Sequence, residues 1–202
     1  MILKKIINRI LKCFGLKNIT SKQKVVYLTF DDGPEYGITE FVLDELAKYQ
    51  FKATFFCRGD NAEKNTGLLA LICKQGHAVG NHSYSHLRAH EVASDIYIDD
   101  VEKADTILHT NLFRPPFGSI TIKTWLNLRG KYRMVYWSLN SEDSECENFD
   151  FQSSIKKLKS KTKNGYVVLF HFCHFHETKT RQLLPPYLKW LYENGYQSFA
   201  LI

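Results

Sequence analysis

An α/β fold on a parallel sheet is what the sequence predicts, and two observations carry it. From Lys24 onward short β-rich apolar runs alternate with segments of helical periodicity. Residues able to do chemistry collect at the C-terminal ends of those runs, where parallel α/β sheets build their sites. Strand–helix alternation admits either a doubly wound sheet or a closed barrel.

The elements follow in order. Val25–Phe30 is the first strand, β-branched and aromatic. Ile38–Tyr49 has helical spacing, Ala53–Cys57 reads as a strand and Thr66–Lys74 as a helix. His77–Gly80 is a short strand, and Asp95–His109 a helix with Ile96, Val101, Ala104 and Leu108 facing inward. Leu112–Arg114 is a brief strand and Ile120–Leu128 a helix. Arg133–Ser138 and Tyr166–Phe170 are strands on either side of a helix over Phe151–Lys161. Leu184–Glu193 is the last helix, since Pro185 and Pro186 fit only a first turn, and Asn194-Gly195 stops it. Gln197–Leu201 closes the set as a seventh strand.

The net charge of +6 over 202 residues invites a nucleic-acid reading, and its distribution argues against one. Residues 1–24 hold seven basic groups and no acid, leaving 20 basic and 21 acidic groups in the rest. The body is therefore close to neutral. Residues 1–23 form a leader and 24–202 the folded domain. In the leader, Ile2, Leu3, Ile6, Ile7, Ile10, Leu11 and Phe14 alternate with Lys4, Lys5, Arg9 and Lys12 at helical spacing. That pattern predicts an amphipathic helix over residues 1–16, either lying on an anionic membrane surface or covering the domain. No apolar run reaches the roughly 18 residues of a bilayer span. Five unpatterned cysteines (13, 57, 73, 146 and 173) point to a reducing compartment. The expected location is the cytoplasm or the cytoplasmic face of a membrane, with secretion left open.

Five segments carry the candidate chemistry. The first strand ends in Asp31-Asp32-Gly33-Pro34, where successive side chains point to opposite faces and so can serve as base and metal ligand. The same residues also read as a plain turn. His82 and His86, four apart, can converge on one ion; with Asp32 they make a two-His, one-carboxylate set that suits zinc, iron, cobalt, manganese or nickel. Phe113-Arg114-Pro115-Pro116-Phe117-Gly118 is a rigid loop able to hold an arginine on a carboxylate and aim a backbone N–H at an oxyanion. Trp137 and Asp143 follow the fifth strand, and His171 ends the sixth as a candidate general acid.

In this order the segments TFDDGP (29–34), GHAVGNHSYSH (76–86), FRPPFG (113–118) and LFH (169–171) resemble the polysaccharide deacetylase family, the NodB-like domain of carbohydrate esterase family 4. The resemblance runs from about Val25 to Ile202 and includes Ala53-Thr54-Phe55-Phe56. It implies a distorted (β/α) barrel of about seven parallel strands. It implies removal of an N-acetyl group from an acetylated amino sugar with one divalent metal ion, zinc first. Carried over by motif, Asp31 is the base, Asp32, His82 and His86 are the ligands, and Arg114 orients Asp31. The Phe117 N–H binds the oxyanion, Trp137 lines the groove, His171 is the acid, and Asp143 tunes it. Asn140, Ser144 and Phe172 depart from the family pattern and alter the groove rather than the chemistry. An O-acetyl esterase, a cyclic-amide hydrolase or an inactive sugar-binding domain on the same scaffold are the alternatives.

Overall fold

The computed structural model describes residues 15–144 and 149–202. The amphipathic helix expected over residues 1–16 lies almost wholly outside them. No helix among the described residues is long and apolar enough to cross a membrane.

The sheet is centred on β1 (Val25–Asp31). β1 pairs in parallel with β2 (Ala53–Cys57) on one side and β7 (Tyr166–His171) on the other. Beyond β2 come β3 (Ala78–Asn81), β4 (Leu112–Phe113) and β5 (Arg133–Met134); beyond β7 comes β6 (Leu139–Asn140). The path of seven strands is thus 5-4-3-2-1-7-6, with β8 (Gln197–Ser198) set against the start of β1. Every one of these pairings is parallel, and the curved sheet with its outer helices is the distorted barrel expected.

β1 is buried almost throughout, so nearly every position is apolar. Val26, Leu28 and Phe30 face the helices and join the main core with Phe55, Val168 and Phe170. Thr29 and Asp31, two apart, share the opposite face inside the barrel. The helical layer comprises α1 (Ile38–Ala47), α2 (Gly59–Lys64), α3 (Thr66–Lys74), α4 (Ser94–Leu108), α5 (Ile122–Leu128), α6 (Phe151–Lys161) and α7 (Glu177–Glu193).

Four expectations change. The seventh strand expected over Gln197–Leu201 is only Gln197–Ser198, off the main path, and β6 takes the seventh place in that path. The buried stripe of α4 is Tyr97, Val101, Ala104 and Leu108; Ile96 is 54% exposed, because spacings of four, three and four put residue 97 on the inner face. α7 begins at Glu177, with Pro185 and Pro186 inside it rather than at its start. Leu183, Leu184, Tyr187, Leu188 and Leu191 are all fully buried. Each contributes about 1.5–3 kcal/mol, enough to offset the roughly 3 kcal/mol cost of an interior proline. The expected strand over 133–138 is split: regular pairing ends at Met134 and resumes as β6.

That split closes the barrel. β5 and β6 are the two ends of the sheet path, so residues 135–138 cross the gap between them. Val135 N–H donates to Phe113 O (2.8 Å), and Ser138 N–H donates to Val167 O (2.9 Å). Residues 16–19 fill the remaining seam. Leu16 N–H donates to Met134 O (2.9 Å), and Leu16 O accepts from Tyr136 N–H (2.8 Å). Ile19 N–H donates to Gly165 O (2.9 Å), and the Ser138 hydroxyl bonds to Lys17 O.

Gly165 has φ +79, and a Cβ there would sit 1.9 Å from the Ile19 carbonyl oxygen. Gly165→Ala should therefore cost at least about 1–3 kcal/mol, read as a lower urea midpoint. Gly130→Ala, with open space around it, should leave the midpoint unchanged.

Candidate active site

The strand register decides which side chains can meet. Asp31 lies directly opposite Phe56 on β2 and His171 on β7. Cys57 pairs with Asn81, and Asn81 with Phe113. The residues that follow these ends, Asp32, His82 and Arg114, therefore emerge at one level of the barrel. Asp143 joins them from the turn after β6.

Arg114 is completely buried within the barrel. Its Nη1 donates to Asp31 Oδ1 (2.7 Å) and to Thr29 Oγ1 (2.9 Å). Nε and Nη2 reach the carbonyls of Val135 (3.3 Å) and Tyr136 (3.2 Å), and the guanidinium lies 4.1 Å over the Phe56 ring. A buried guanidinium has to spend its donors in this way. The result fixes one oxygen of Asp31 and leaves Oδ2 3.8 Å from His82 Nε2.

The His82 ring is oriented from behind, with Nδ1 2.7 Å from the Arg114 carbonyl oxygen. A carbonyl only accepts, so Nδ1 carries the proton and Nε2 presents a lone pair. Burial pushes the His82 pKa down to about 4, keeping the ring neutral near pH 7. That lone pair faces Asp32 Oδ1 at 3.5 Å, and His86 Nε2 faces the same oxygen at 3.2 Å. Asp32 Oδ1 is nevertheless buried without a hydrogen bond. A carboxylate oxygen and an imidazole lone pair turned toward each other repel unless a cation lies between them. Asp32, His82 and His86 thus fit a divalent ion, with their ligand atoms all within 4.8 Å of one another.

The 82–86 loop is held by its neighbours. Asn81 accepts from Ser83 N–H (2.8 Å) and donates to Val101 O (2.9 Å). Asp100 accepts from the N–H groups of Tyr84 and Ser85, both at 3.0 Å. Asp32, Ser83, His86, Phe117 and Glu142 all have positive φ. For residues other than glycine this strain survives only where the surroundings impose it.

His171 and Asp143 form a second unit. His171 Nδ1 lies 2.7 Å from Asp143 Oδ1, and His171 N–H donates to Oδ2 at the same distance. Thr180 Oγ1 donates to Oδ2 at 3.0 Å. Burial alone would lower the His171 pKa; the fully buried Asp143 more than offsets this and raises it to about 9. Burial raises the Asp143 carboxyl too, but His171 and its hydrogen bonds bring it below the usual range.

Asp31, Asp32, His82, His86, Phe117, Trp137 and His171 line one cleft of about 510 Å³. Arg114 and Asp143 stand behind Asp31 and His171. Phe117, at φ 57 and ψ 12, lays its ring against His86, centroids 4.5 Å apart. Asn140 and Ser144, two of the departures from the family pattern, also line the cleft, whereas Phe172 is buried against Phe55. Thr29 and Thr180 were missed because one is an ordinary strand residue and the other lies in the unanticipated first turns of α7. Arg88 and His176, also on the wall, had no motif to mark them.

A family profile described as polysaccharide deacetylase matches residues 18–135. The chain belongs to the polysaccharide deacetylase family. Membership makes it a carbohydrate deacetylase, a hydrolase of carbon–nitrogen bonds other than peptide bonds. A Bacillus cereus peptidoglycan-N-acetylglucosamine deacetylase is 29% identical over 185 residues, 89% of this chain and 87% of that protein. A second B. cereus protein of that name is 37% identical over 154 residues, 72% of this chain and 55% of that protein. The solved Bacillus subtilis peptidoglycan deacetylase PdaC superposes with a TM-score of 0.80 at 27% identity, over 91% of this chain and 90% of that one. The deacetylase motifs and the strand ends of this barrel coincide.

Replacing Arg114 with Met should strand the Asp31 carboxylate in the interior. Losing one partner of a buried pair costs about 3–5 kcal/mol. Chemical denaturation should show a loss of that size, well beyond that of Arg88→Met on the cleft rim.

Proposed function

We propose that this deacetylase removes the N-acetyl group of an N-acetylglucosamine unit in a glycan, with Asp32, His82 and His86 holding one divalent ion, zinc first. The observation that carries this reading is the pairing of Asp31 and His171 at the same register, beside a buried carboxylate oxygen and two imidazoles that call for a cation. Bound there, the ion supplies Lewis acidity toward the acetyl carbonyl and acidifies nearby water toward a pKa of about 7.

The chain's own groups then divide the work. Arg114 holds Asp31 so that its free oxygen faces the cleft, where it takes a proton from the attacking water. The Phe117 N–H stabilises the oxyanion that forms at the former carbonyl. His171, protonated near neutral pH because of Asp143, gives a proton to the departing amine. Acetate and the free amino sugar leave. No covalent enzyme intermediate is required.

The relatives' identity as peptidoglycan-N-acetylglucosamine deacetylases supports a peptidoglycan-type substrate. The basic leader supports a second arm, a lipid-linked acetylated sugar at the cytoplasmic face of a membrane. Incubation with peptidoglycan fragments and with lipid-linked acetylated sugars, read by loss of one acetyl mass, separates the two. Loss from neither would overturn the activity.

Asp31→Asn should retain bound metal and lose about 10²–10⁴ in turnover. His82→Ala should lose the ion of this site, read by elemental analysis as one equivalent fewer than wild type, while keeping its fold by circular dichroism.

The pH dependence follows from His171. Its folded pKa is raised from 6.5 to about 9, so the proton donor is present below that value and lost above it. The pair's contribution to stability has the same sign: complete below 6.5 and lost as pH rises through about 9. Turnover should show an alkaline limb, and Asp143→Asn should move it at least about one pH unit toward acid.

A further inference from the structure

Asp32 turns its two oxygens toward two different sets of donors. Oδ1 faces His82 and His86. Oδ2 lies 3.9 Å from the Sγ of Cys173. Asp32, Cys173 and His176 each offer a ligand atom within 4.8 Å of the other two, the same closeness as in the first group. The spacing Cys-x-x-His is closed by a turn in which His176 N–H donates to Cys173 O (3.1 Å), bringing the two side chains to one side.

The backbone holds this turn against Asp32. Gly33 packs so tightly on the segment after β7 that a Cβ would lie 2.6 Å from the Phe172 carbonyl oxygen. Phe172 is itself anchored in the core against Phe55, ring centroids 5.1 Å apart. Cys173, next in the chain, is therefore set beside the Asp32 carboxylate, and His176 lines the cleft wall.

We propose that Asp32, Cys173 and His176 form a second cation site, so that the Asp32 carboxylate bridges two divalent ions. The proposal rests on the reading of Asp32, His82 and His86 as the first site. A thiol, an imidazole and a carboxylate together select zinc or cobalt over magnesium or calcium. On binding, the sulfur–hydrogen bond breaks, a metal–sulfur bond forms, and the proton goes to solvent. Three protein donors leave room for water. The His176 ring packs on His171, centroids 4.8 Å apart. An ion in this second site crowds the proton donor, so the site is inhibitory and makes turnover fall when metal is in excess.

The test is titration of the metal-free, full-length protein with cobalt(II), following bound metal and the near-ultraviolet thiolate-to-cobalt band. Wild type should take up about two equivalents, with the thiolate band belonging to one of them. Cys173→Ala should lose the band and one equivalent while keeping the other, and His176→Gln should weaken the equivalent that carries the band. His82→Ala should keep the band and lose the other equivalent. If His82→Ala instead keeps both equivalents, the first assignment fails and the second stands. Excess zinc should suppress wild-type turnover and spare Cys173→Ala. A wild type that stops at one equivalent with no thiolate band overturns the proposal, as does a band that survives in Cys173→Ala.

Discussion

The site depends on a charge buried inside a barrel. Arg114 and Asp31 are removed from water together, and the pair is tolerable only because the guanidinium also satisfies Thr29 and two backbone carbonyls. Such pairs do little for net stability, but they allow one geometry. Here that geometry ties the first strand, the loop after the fourth and the segment after the fifth into one network. It determines which Asp31 oxygen is committed and which is free. His82 depends on the same residue through a different atom, since its ring is set by the Arg114 carbonyl. One residue therefore orients the base through its side chain and a metal-binding imidazole through its backbone.

The second proton-handling unit is built on the same plan with the polarity reversed. At Asp31 a buried cation stands behind a functional carboxylate; at His171 a buried carboxylate stands behind a functional imidazole. Both supporting groups, Arg114 and Asp143, are fully buried, and both are braced by a threonine hydroxyl. The reacting atoms line the cleft and their orienting partners do not.

Much of this was legible in the sequence because the chemistry sits at strand ends. A one-residue step past a buried run is visible as a change from Phe30 to Asp31, or from Phe170 to His171. The motif residues consequently arrived where expected, and the boundaries of α3 and α6 held as read. What could not be read was set by packing. Pro185 and Pro186 forbade an interior helix locally, and the buried face of α7 overrode them. Ile96 and Tyr97 are both apolar enough to face inward, and only docking of α4 separates them. β6 is two residues long and carries no periodicity of its own. Cys173 and His176 belong to no familiar motif; they matter only once the turn against Gly33 brings them to Asp32.

The seam through residues 16–19 has a consequence for the order of assembly. The Ser138 hydroxyl meets Lys17 across 121 positions of chain, and Asn18 bridges to Tyr166. These contacts are about as non-local as the pairing of β1 with β7, and loop closure must precede any gain. The central strands and their helices can condense early from closer neighbours. Residues 16–19, although they precede β1, complete their pairing only after β7 exists: Leu16 already meets Met134 and Tyr136, but Asn18 and Ile19 need Tyr166 and Gly165. During synthesis they must wait unpaired while most of the domain emerges. They are a latch of the barrel, made before the strands that they join.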